Sequence, residues 1–190
     1  MEFFLAANRA GVRPTRLVLV VGVAQQSLWL FEKSCAAPRN CPAQSGSAAV
    51  ARNRYHTFKT FRCSTSRFGV GQDQGSNRTP LGLHRVAEKT GGGRPVGTVF
   101  KSRQAVGFTW QGLPKATITT RILWLEGLEP GFNRGGGVDS RARYIYIHGT
   151  GDESGLGRPA SCGCIHLGAD DLMPLFDGIP AGTLVWIAPG

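Results

Sequence analysis

The sequence predicts a β-rich, single-domain protein. Its 190 residues are enough for one domain with a full hydrophobic core. They include 27 glycines and 11 prolines, and so many turn-forming residues favour short strands over long helices. Several segments also alternate apolar and polar residues, which is typical of strands with one buried face. Together these observations predict a curved β-sheet with long loops and at least one small helix.

The first regular element is expected to be a β-hairpin over residues 17–32. Its first half is a run rich in Val and Leu, typical of a buried strand, and its second half alternates after Gln25 and Gln26. Residues 1–16, with weak periodicity, are interpreted as a surface lead-in. Residues 33–53 show no periodicity and are interpreted as a loop insertion.

Further strands are predicted from alternation or from β-branched residues. Their ranges are 55–64, 83–88, 117–125, 143–148 and 183–187, with 99–102 an edge strand or a loop. One short helix is expected over 168–177, where two aspartates suit the first turn and apolar side chains share a face. Residues 65–82 are expected to form a long loop, in which the turn Thr79-Pro80-x-Gly82 either sets a loop near the site or, as is favoured, is an ordinary Pro-Gly turn.

Charge is unevenly distributed along the chain. The net charge is +10, and residues 1–103 hold 16 Lys and Arg against 4 Asp and Glu, whereas residues 104–190 hold 6 against 8. The basic half suits an anionic partner or surface, or it serves solubility and loop contacts. No helix-turn-helix, zinc-finger or aromatic-basic RNA-binding signature accompanies it, so nucleic acid is not the predicted partner.

Targeting signals and cysteines give little indication of the compartment. No apolar run approaches the roughly 20 residues of a transmembrane helix. The N-terminus does not resemble a secretory signal peptide, because Glu2 stands where positive charge is expected and the apolar run 3–7 is short. Among the five cysteines, Cys35 and Cys41 flank a loop and would pair as a disulfide in an exported protein. In a reducing compartment they would remain thiols.

The strongest chemical signal is the stretch 144–167, YIYIHGTGDESGLGRPASCGCIHL. His148 ends a predicted strand, and Cys164 follows a glycine 16 residues later at a loop-to-element corner. A thiol nucleophile needs such a histidine as its base, and a nearby imidazolium would lower the pKa of the thiol. A backbone carbonyl, or the hydroxyl of Thr150 or Ser161, is expected to fix the ring of His148.

The corner before Cys164 has a second expected role. Gly163 permits a backbone conformation that aims consecutive N–H groups at one point. The amides of Cys162, Gly163 and Cys164 are therefore candidates for stabilising an oxyanion on a thioester path.

Three other interpretations of these residues stay open. Cys164 can be a small buried hydrophobe and His148 a strand-end histidine with satisfied hydrogen bonds. Cys162, Cys164, His166 and His148 also offer two thiolates and two imidazoles to a zinc ion, although CxCxH is tighter than the usual Cx2–4C spacing. A Cys162–Cys164 disulfide would block a nucleophile reversibly, with strain from the short spacing.

Several segments match the pattern of one family. HGT at 148–150 together with SCGCIHL at 161–167 looks like the catalytic signature of the L,D-transpeptidases, the YkuD-like domain. LVLVVGVAQQSLWLFE is similar to that family's opening hairpin, and residues 64–89 resemble its substrate-side loop with a Thr-Pro-x-Gly turn. TLVWI resembles its closing strand. The resemblance extends over most of residues 17–188, so residues 17–190 are expected to be the catalytic domain.

The resemblance implies a mainly β, sandwich-like fold with one or two short helices, and an enzyme without a cofactor. Such enzymes attack a peptidoglycan tetrapeptide stem after its third residue, form a thioester and pass the acyl group to an amine or to water. By resemblance Cys164 is the nucleophile, His148 the base, and Gly149 supplies the carbonyl that orients the base. The candidates for substrate or oxyanion binding are Tyr146, Thr150, Ser161, Cys162, Gly163 and His166.

Peptidoglycan stem peptides are the implied partner, and the cell envelope or periplasm is the implied location. The chain departs from the family pattern at two positions. Cys162 stands where the family commonly has His, and His166 stands where it usually has Arg or Asn. These departures leave two alternatives to a transpeptidase for cell-wall cross-linking or remodelling. One is a weakened or non-catalytic peptidoglycan-binding member of the fold, and the other is an L,D-carboxypeptidase.

Overall fold

The structure is a computed structural model that describes residues 2–34 and 55–190. Within those ranges it contains two α-helices and ten β-strands. The helices are α1 (Glu2–Arg9) and α2 (Ala169–Gly178). The strands are β1 (Leu17–Gly22), β2 (Ser27–Lys33), β3 (Tyr55–Ser64), β4 (Gly82–Thr90), β5 (Thr98–Lys101), β6 (Gln104–Phe108), β7 (Thr119–Gly127), β8 (Tyr146–Gly149), β9 (Ile165–Leu167) and β10 (Leu184–Ala188).

All ten strands belong to one sheet, in the order β4-β10-β1-β2-β3-β9-β8-β7-β5-β6. Strand β4 also pairs with β7, with His84 opposite Gly127, so eight of the strands close into a ring. The β5–β6 hairpin continues from β7 outside this ring through the pair Val99 and Thr119. The mainly β, sandwich-like fold with two short helices is thereby confirmed, and its opposite walls are parts of one curved sheet.

The closed sheet surrounds the main hydrophobic core. Alternate strand residues point inward, as Leu19 and Val21 do in β1 and Ile147 does in β8. Helix α2 packs against this core with three side chains at helical spacing, Leu172, Leu175 and Phe176. The ammonium of Lys89 donates to the carbonyls of Phe176 and Ile179 at 2.5 and 2.7 Å, which satisfies the C-terminal end of the helix.

Most predicted elements lie close to their predicted bounds. The first hairpin is β1–β2, strand β3 covers the predicted range 55–64, and the predicted helix is α2. The range 99–102 is largely strand β5. Strands β6 and β9 were not predicted, because the first half of β6 is exposed on both faces and β9 has only three residues. Neither strand therefore shows the alternation of buried and exposed residues by which a strand is predicted.

The strand predicted over 143–148 begins only at Tyr146. Tyr144 has a φ of 56°, in the left-handed region, which interrupts an extended strand. The N–H of Ile145 donates to the carbonyl of Ser140, within the preceding turn. This turn delivers the chain into β8 from the side of the sheet that carries the candidate site.

The predicted surface lead-in over residues 1–16 contains helix α1, and the prediction was wrong for its inner face. Phe3, Ala6 and Ala7 follow the i, i+3, i+4 spacing and are buried. They pack with Leu83 and Leu184 in a second hydrophobic cluster. A helix of eight residues is too short for a clear sequence signal and is stabilised by this packing.

The predicted insertion 33–53 falls mostly outside the described residues, and so do Cys35 and Cys41. Lys33 is the last residue of β2 and so belongs to the sheet. Within residues 2–34 and 55–190, no helix is long and apolar enough to cross a membrane.

Candidate active site

Strands β8 and β9 bring the predicted site residues onto one face of the sheet. They are parallel neighbours, with His148 opposite His166. Because side chains two residues apart share a face, Tyr146 lies beside His148, and Cys164 lies beside His166. The ring centroids of His148 and His166 are 4.8 Å apart, and those of Tyr146 and His148 are 6.3 Å apart. The opposite face of both strands belongs to the core.

The Cys164 thiol contacts backbone groups rather than an imidazole. The N–H of Tyr146 donates to Sγ at 3.4 Å, and the thiol donates to the carbonyl of Tyr144 at 3.5 Å. Poor solvation raises the pKa of the thiol to about 11, and this outweighs the opposing effects of the Tyr146 amide and Arg143. The expectation of a lowered thiol pKa was therefore wrong for the resting site. Its neighbour His148 is itself uncharged and supplies no imidazolium.

His148 is buried, and the backbone at the end of strand β8 holds its ring in place. Its Nδ1 lies 2.8 Å from the carbonyl oxygen of Gly149, so the Nδ1–H donates to that carbonyl and Nε2 keeps its lone pair. Burial lowers the pKa of His148 to about 3, with a further contribution from His166, against the opposing effect of the Gly149 carbonyl. The ring is therefore a neutral, fixed proton acceptor on the face that carries Cys164.

The two hydroxyls proposed as orienting groups for His148 bond elsewhere. Thr150 accepts a hydrogen bond from the N–H of Asp152 at 3.2 Å. The Ser161 hydroxyl donates to the carbonyl of Cys164 at 2.6 Å. The backbone carbonyl is thus the orienting group, and Ser161 instead shapes the corner that contains the thiol.

That corner has the backbone conformation expected for an oxyanion-binding turn. Gly163 has a φ of 118°, which an L side chain rarely adopts, and a Cβ there would lie 3.3 Å from the carbonyl oxygen of Arg78. The Gly163 N–H donates to the Ser161 hydroxyl across a long 3.3 Å bond. An incoming oxyanion would compete with this weak bond for the amide.

Thr79 ties the loop between β3 and β4 to this corner, so of the two interpretations of its turn, the contacts favour the one that sets a loop near the site. Its side chain is fully buried. The hydroxyl donates to the carbonyl of Gly163 at 3.1 Å and accepts from the N–H of Ser66 at 3.0 Å. The threonine preceding Pro80 was a visible signal, but its partner lies 84 residues away and only the fold brings the two together.

Arg143 makes a second link to the same loop, and sequence analysis did not single it out. Its guanidinium donates to the carbonyls of Gln72 and Arg78 at 2.8 and 2.6 Å, and to that of Gly71 at 3.2 Å. Burial lowers its pKa, while the Cys164 thiol is among the groups that act in the opposite direction. The positive charge nearest the thiol is thus already bound to loop carbonyls.

The two departures from the family pattern differ in exposure. Cys162 is exposed, whereas His166 is buried and its pKa is lowered to about 4 by desolvation. Within the described ranges, Cys63, Cys162 and Cys164 are free thiols, so this structure has no Cys162–Cys164 disulfide. In the same part of the chain, no three His, Cys, Asp or Glu side chains come together in a metal-binding arrangement. The geometry therefore does not favour the zinc interpretation.

Comparison with known proteins gives both relatives of the sequence and relatives of the fold. A 45-residue segment is 49% identical to the probable L,D-transpeptidase ErfK/SrfK of Escherichia coli (strain K12), which is 24% of this chain and 14% of that protein. The structure of Bdellovibrio bacteriovorus Bd1075 matches with a TM-score of 0.51 at 16% identity, over 92% of this chain and 48% of that one. The L,D-transpeptidase LdtMt1 in complex with imipenem matches with a TM-score of 0.50 at 14% identity, over 91% and 59%.

At such low identity, the two structural matches show a shared fold. The chain spans less than two thirds of the length of each of these relatives. The sequence profile of the L,D-transpeptidase catalytic domain, YkuD, matches residues 42–187, which is well over half of the chain. This range contains every candidate site residue. The chain therefore belongs to the YkuD family of L,D-transpeptidase catalytic domains.

Proposed function

We propose that the protein is a cysteine-dependent L,D-transpeptidase that acts on peptidoglycan tetrapeptide stems through a thioester. One observation carries the proposal. The Cys164 thiol and the His148 ring share a face of the β8–β9 pair, and the Gly149 carbonyl holds His148 in the tautomer that can accept a proton at Nε2. Membership of the family supports the substrate class.

The proposed first half-reaction transfers the stem to Cys164. As Sγ attacks the carbonyl carbon of the third stem residue, its proton passes to Nε2 of His148. The bond to D-alanine breaks, and the departing amine takes the proton from His148. The stem remains as a thioester on Sγ. Because the resting thiol has a raised pKa and His148 a lowered one, proton transfer accompanies the attack and no stable ion pair precedes it.

The second half-reaction releases the acyl group to an acceptor. An amine of another stem attacks the thioester carbonyl, and His148 accepts the proton of that amine. The Cys164 thiolate then leaves and takes this proton from His148. The oxyanion of each tetrahedral intermediate would bind at the Gly163 corner, where the Gly163 N–H exchanges its 3.3 Å bond to Ser161 for a charged acceptor. Cys162 and Ser161 shape this corner.

The location and partner follow from the same assignment. A peptidoglycan-directed enzyme works in the cell envelope, and the excess of 16 Lys and Arg over 4 Asp and Glu in residues 1–103 suits an anionic wall. The partner is then the stem peptide of peptidoglycan.

A weakened or non-catalytic wall-binding member is the second candidate. The observation that favours it is the thiol itself, because a pKa of about 11 leaves little thiolate at neutral pH and the thiol hydrogen-bonds only to backbone groups in the described part of the chain. Such a protein would bind stems without forming a covalent intermediate.

Muropeptide analysis of purified protein incubated with disaccharide-tetrapeptide and a free D-amino acid separates the two candidates. We expect cross-linked or D-amino-acid-exchanged products from the wild type, none from Cys164→Ala, and at least about 100-fold less from His148→Ala. Cys63→Ala is the matched control, since this buried thiol lies in the core and is not part of the site. Products from Cys164→Ala equal to those of the wild type would overturn the proposal. Imipenem, which is bound in the LdtMt1 complex, provides a second probe of Cys164 acylation.

A further inference from the structure

A cluster of cations and aromatic rings borders the candidate nucleophile, and we call it the Arg103 platform. It consists of Arg103, Trp124, Arg141 and Tyr144. The guanidinium carbons of Arg103 and Arg141 lie 4.1 and 4.9 Å from the ring centroid of Trp124. Tyr144 stacks on Trp124 with centroids 5.8 Å apart and is 56% exposed. The platform thus presents two positive charges and one aromatic ring to solvent.

The platform is connected to Cys164 through the two tyrosines that contact the thiol. Arg103 Nη1 donates to the hydroxyl of Tyr146 at 3.3 Å, and the N–H of Tyr146 donates to Sγ of Cys164. The carbonyl of Tyr144 accepts from the same thiol. Arg103 and the backbone of Tyr144 therefore lie within two hydrogen bonds of Sγ.

The backbone that holds the platform is in unusual conformations. Ser102 and Arg103, at the tip of the β5–β6 hairpin, have φ values of 49° and 65°, and Tyr144 has a φ of 56°. These are three of the six non-glycine residues with positive φ in the described ranges. For Ser102 and Arg103 this is the normal geometry of a two-residue hairpin turn, whereas Tyr144 adopts it outside a hairpin. Here they place Arg103 over Trp124 and turn Tyr144 outward.

Arg103 is the platform cation with free hydrogen-bonding capacity. Arg141 lies 3.7 Å from a carboxylate oxygen of Glu88 and 3.8 Å from one of Glu126. Arg103 has no carboxylate within 4.0 Å among residues 2–34 and 55–190. Its guanidinium carries five N–H donors, of which one is bonded to Tyr146, so a bidentate acceptor can still be bound.

Two other groups near Cys164 do not compete with Arg103 for an anion. Position 166, where the family usually has Arg or Asn, is a buried histidine whose pKa is lowered to about 4. The guanidinium of Arg143 is bonded to loop carbonyls. Arg103, joined to the thiol through Tyr146, is then the group we consider for binding an anionic group of a ligand.

We propose that Arg103 binds a carboxylate of the donor stem peptide, with the exposed ring of Tyr144 as the apolar wall of the subsite. This inference rests on the proposed function for the identity of the ligand. We test two carboxylates of the stem, the C-terminal carboxylate of the D-alanine and a side-chain carboxylate on the third residue. Arg103 is then a specificity-determining residue, and its charge contributes to binding rather than to the chemical step.

Binding to Cys164→Ala protein, which cannot form the acyl-enzyme, tests the inference by calorimetry. The probes are a disaccharide-tetrapeptide with free carboxylates, one with a C-terminal amide and one with an amidated third-residue side chain. We expect Arg103→Gln to weaken binding of the free probe by about 10- to 100-fold and amidation of the recognised carboxylate to weaken it by the same factor. Arg103→Gln and amidation of the probe together should weaken binding by no more than either change alone. Arg94→Gln, an exposed arginine in the β4–β5 turn, should leave binding unchanged.

The pattern across the probes identifies the carboxylate and can overturn the inference. The amide probe whose affinity is insensitive to Arg103→Gln marks the group that Arg103 binds. If Arg103→Gln weakens the free probe and both amide probes equally, or weakens none of them, Arg103 recognises neither of these carboxylates and the inference is wrong. Arg103→Lys, which keeps the charge, should recover part of the affinity and guards against a folding defect. Failure of the proposed function is separate, because it appears as absence of a Cys164 adduct with the wild-type thiol.

Discussion

At the scale of single residues, the candidate nucleophile and base are both neutral at rest. Burial raises the pKa of Cys164 to about 11 and lowers that of His148 to about 3. Each shift favours the uncharged form, so the resting site contains neither a Cys164 thiolate nor a His148 imidazolium. In the proposed reaction, the thiol loses its proton only when a substrate carbonyl is in place to accept its electrons.

This protonation state predicts the pH dependence of Cys164 alkylation. In Cys162→Ser protein without substrate, we expect the rate with iodoacetamide at the Cys164 peptide to rise about tenfold per pH unit from pH 7 to 10. The sign follows from the raised pKa, since the thiolate fraction keeps increasing up to about pH 11. Peptide-level mass spectrometry measures the rate. A plateau that begins near pH 7 and disappears in His148→Ala would instead indicate a preformed ion pair.

The proposed nucleophile and base were easier to predict from the sequence than the residues that support them. The spacing of His148 and Cys164 and the glycine at 163 pointed to a thiol site. Arg103 and Arg143 were not singled out, and the partners of Thr79 were not predicted, because these partners are distant in sequence and the contacts depend on how the strands close. The direction of the thiol pKa shift was also missed, since burial cannot be read from the motif.

At the scale of elements, the nucleophile corner depends on the loop between β3 and β4. Thr79 bonds both the Gly163 carbonyl and the Ser66 amide from a fully buried position. This loop was predicted as a loop, and its resemblance to a substrate-side loop placed it near the site. Its side-chain anchor was not predicted, because Thr-Pro turns are common and most lack such a role.

Thr79→Val should weaken this link while keeping the side-chain shape. It leaves a buried N–H and a buried carbonyl without their partner, so we expect a loss of about 1–3 kcal/mol in the free energy of unfolding. We also expect acylation of Cys164 to slow several-fold. Denaturant titration and acylation kinetics check the two effects. Thr60→Val, on the exposed part of β3, is the matched control; equal effects of both substitutions would contradict the proposed anchor.

Elements with strong local patterns were predicted well, and those that depend on tertiary packing were not. The β1–β2 hairpin and α2 have clear periodicity and agree with the structure. Helix α1 is stabilised by its contact with β4 and β10, and β9 is a three-residue strand held between β3 and β8. No local pattern distinguishes such segments from loops.

At the scale of the whole molecule, three buried histidines make the fold sensitive to acid. The pKa values of His84, His148 and His166 are lowered to about 4, 3 and 4, chiefly by desolvation. Histidines in the unfolded chain bind protons near pH 6.5. The unfolded state therefore takes up more protons than the folded state as the pH falls below that value, and folding stability decreases.

We expect the free energy of unfolding to be at its maximum above about pH 6.5 and to decrease toward pH 4. The slope is about 1.4 kcal/mol per pH unit for each histidine that protonates only in the unfolded state. Urea titrations between pH 4.5 and 7.5 measure it. His148→Gln should reduce the slope by about one proton, whereas His56→Gln, at an exposed position of β3, should leave it unchanged. An unaltered slope in His148→Gln would mean that His148 is already protonated in the folded protein.

The fold and the family assignment agree across the molecule, and the central claim concerns one atom. Sγ of Cys164 is proposed to carry the stem peptide as a thioester. Intact-mass analysis after incubation with a disaccharide-tetrapeptide measures this directly. The account predicts a single adduct of the mass of the disaccharide-tripeptide acyl group, with release of D-alanine and no adduct on Cys164→Ala. An unmodified wild-type protein, or the same adduct on Cys164→Ala, would contradict it.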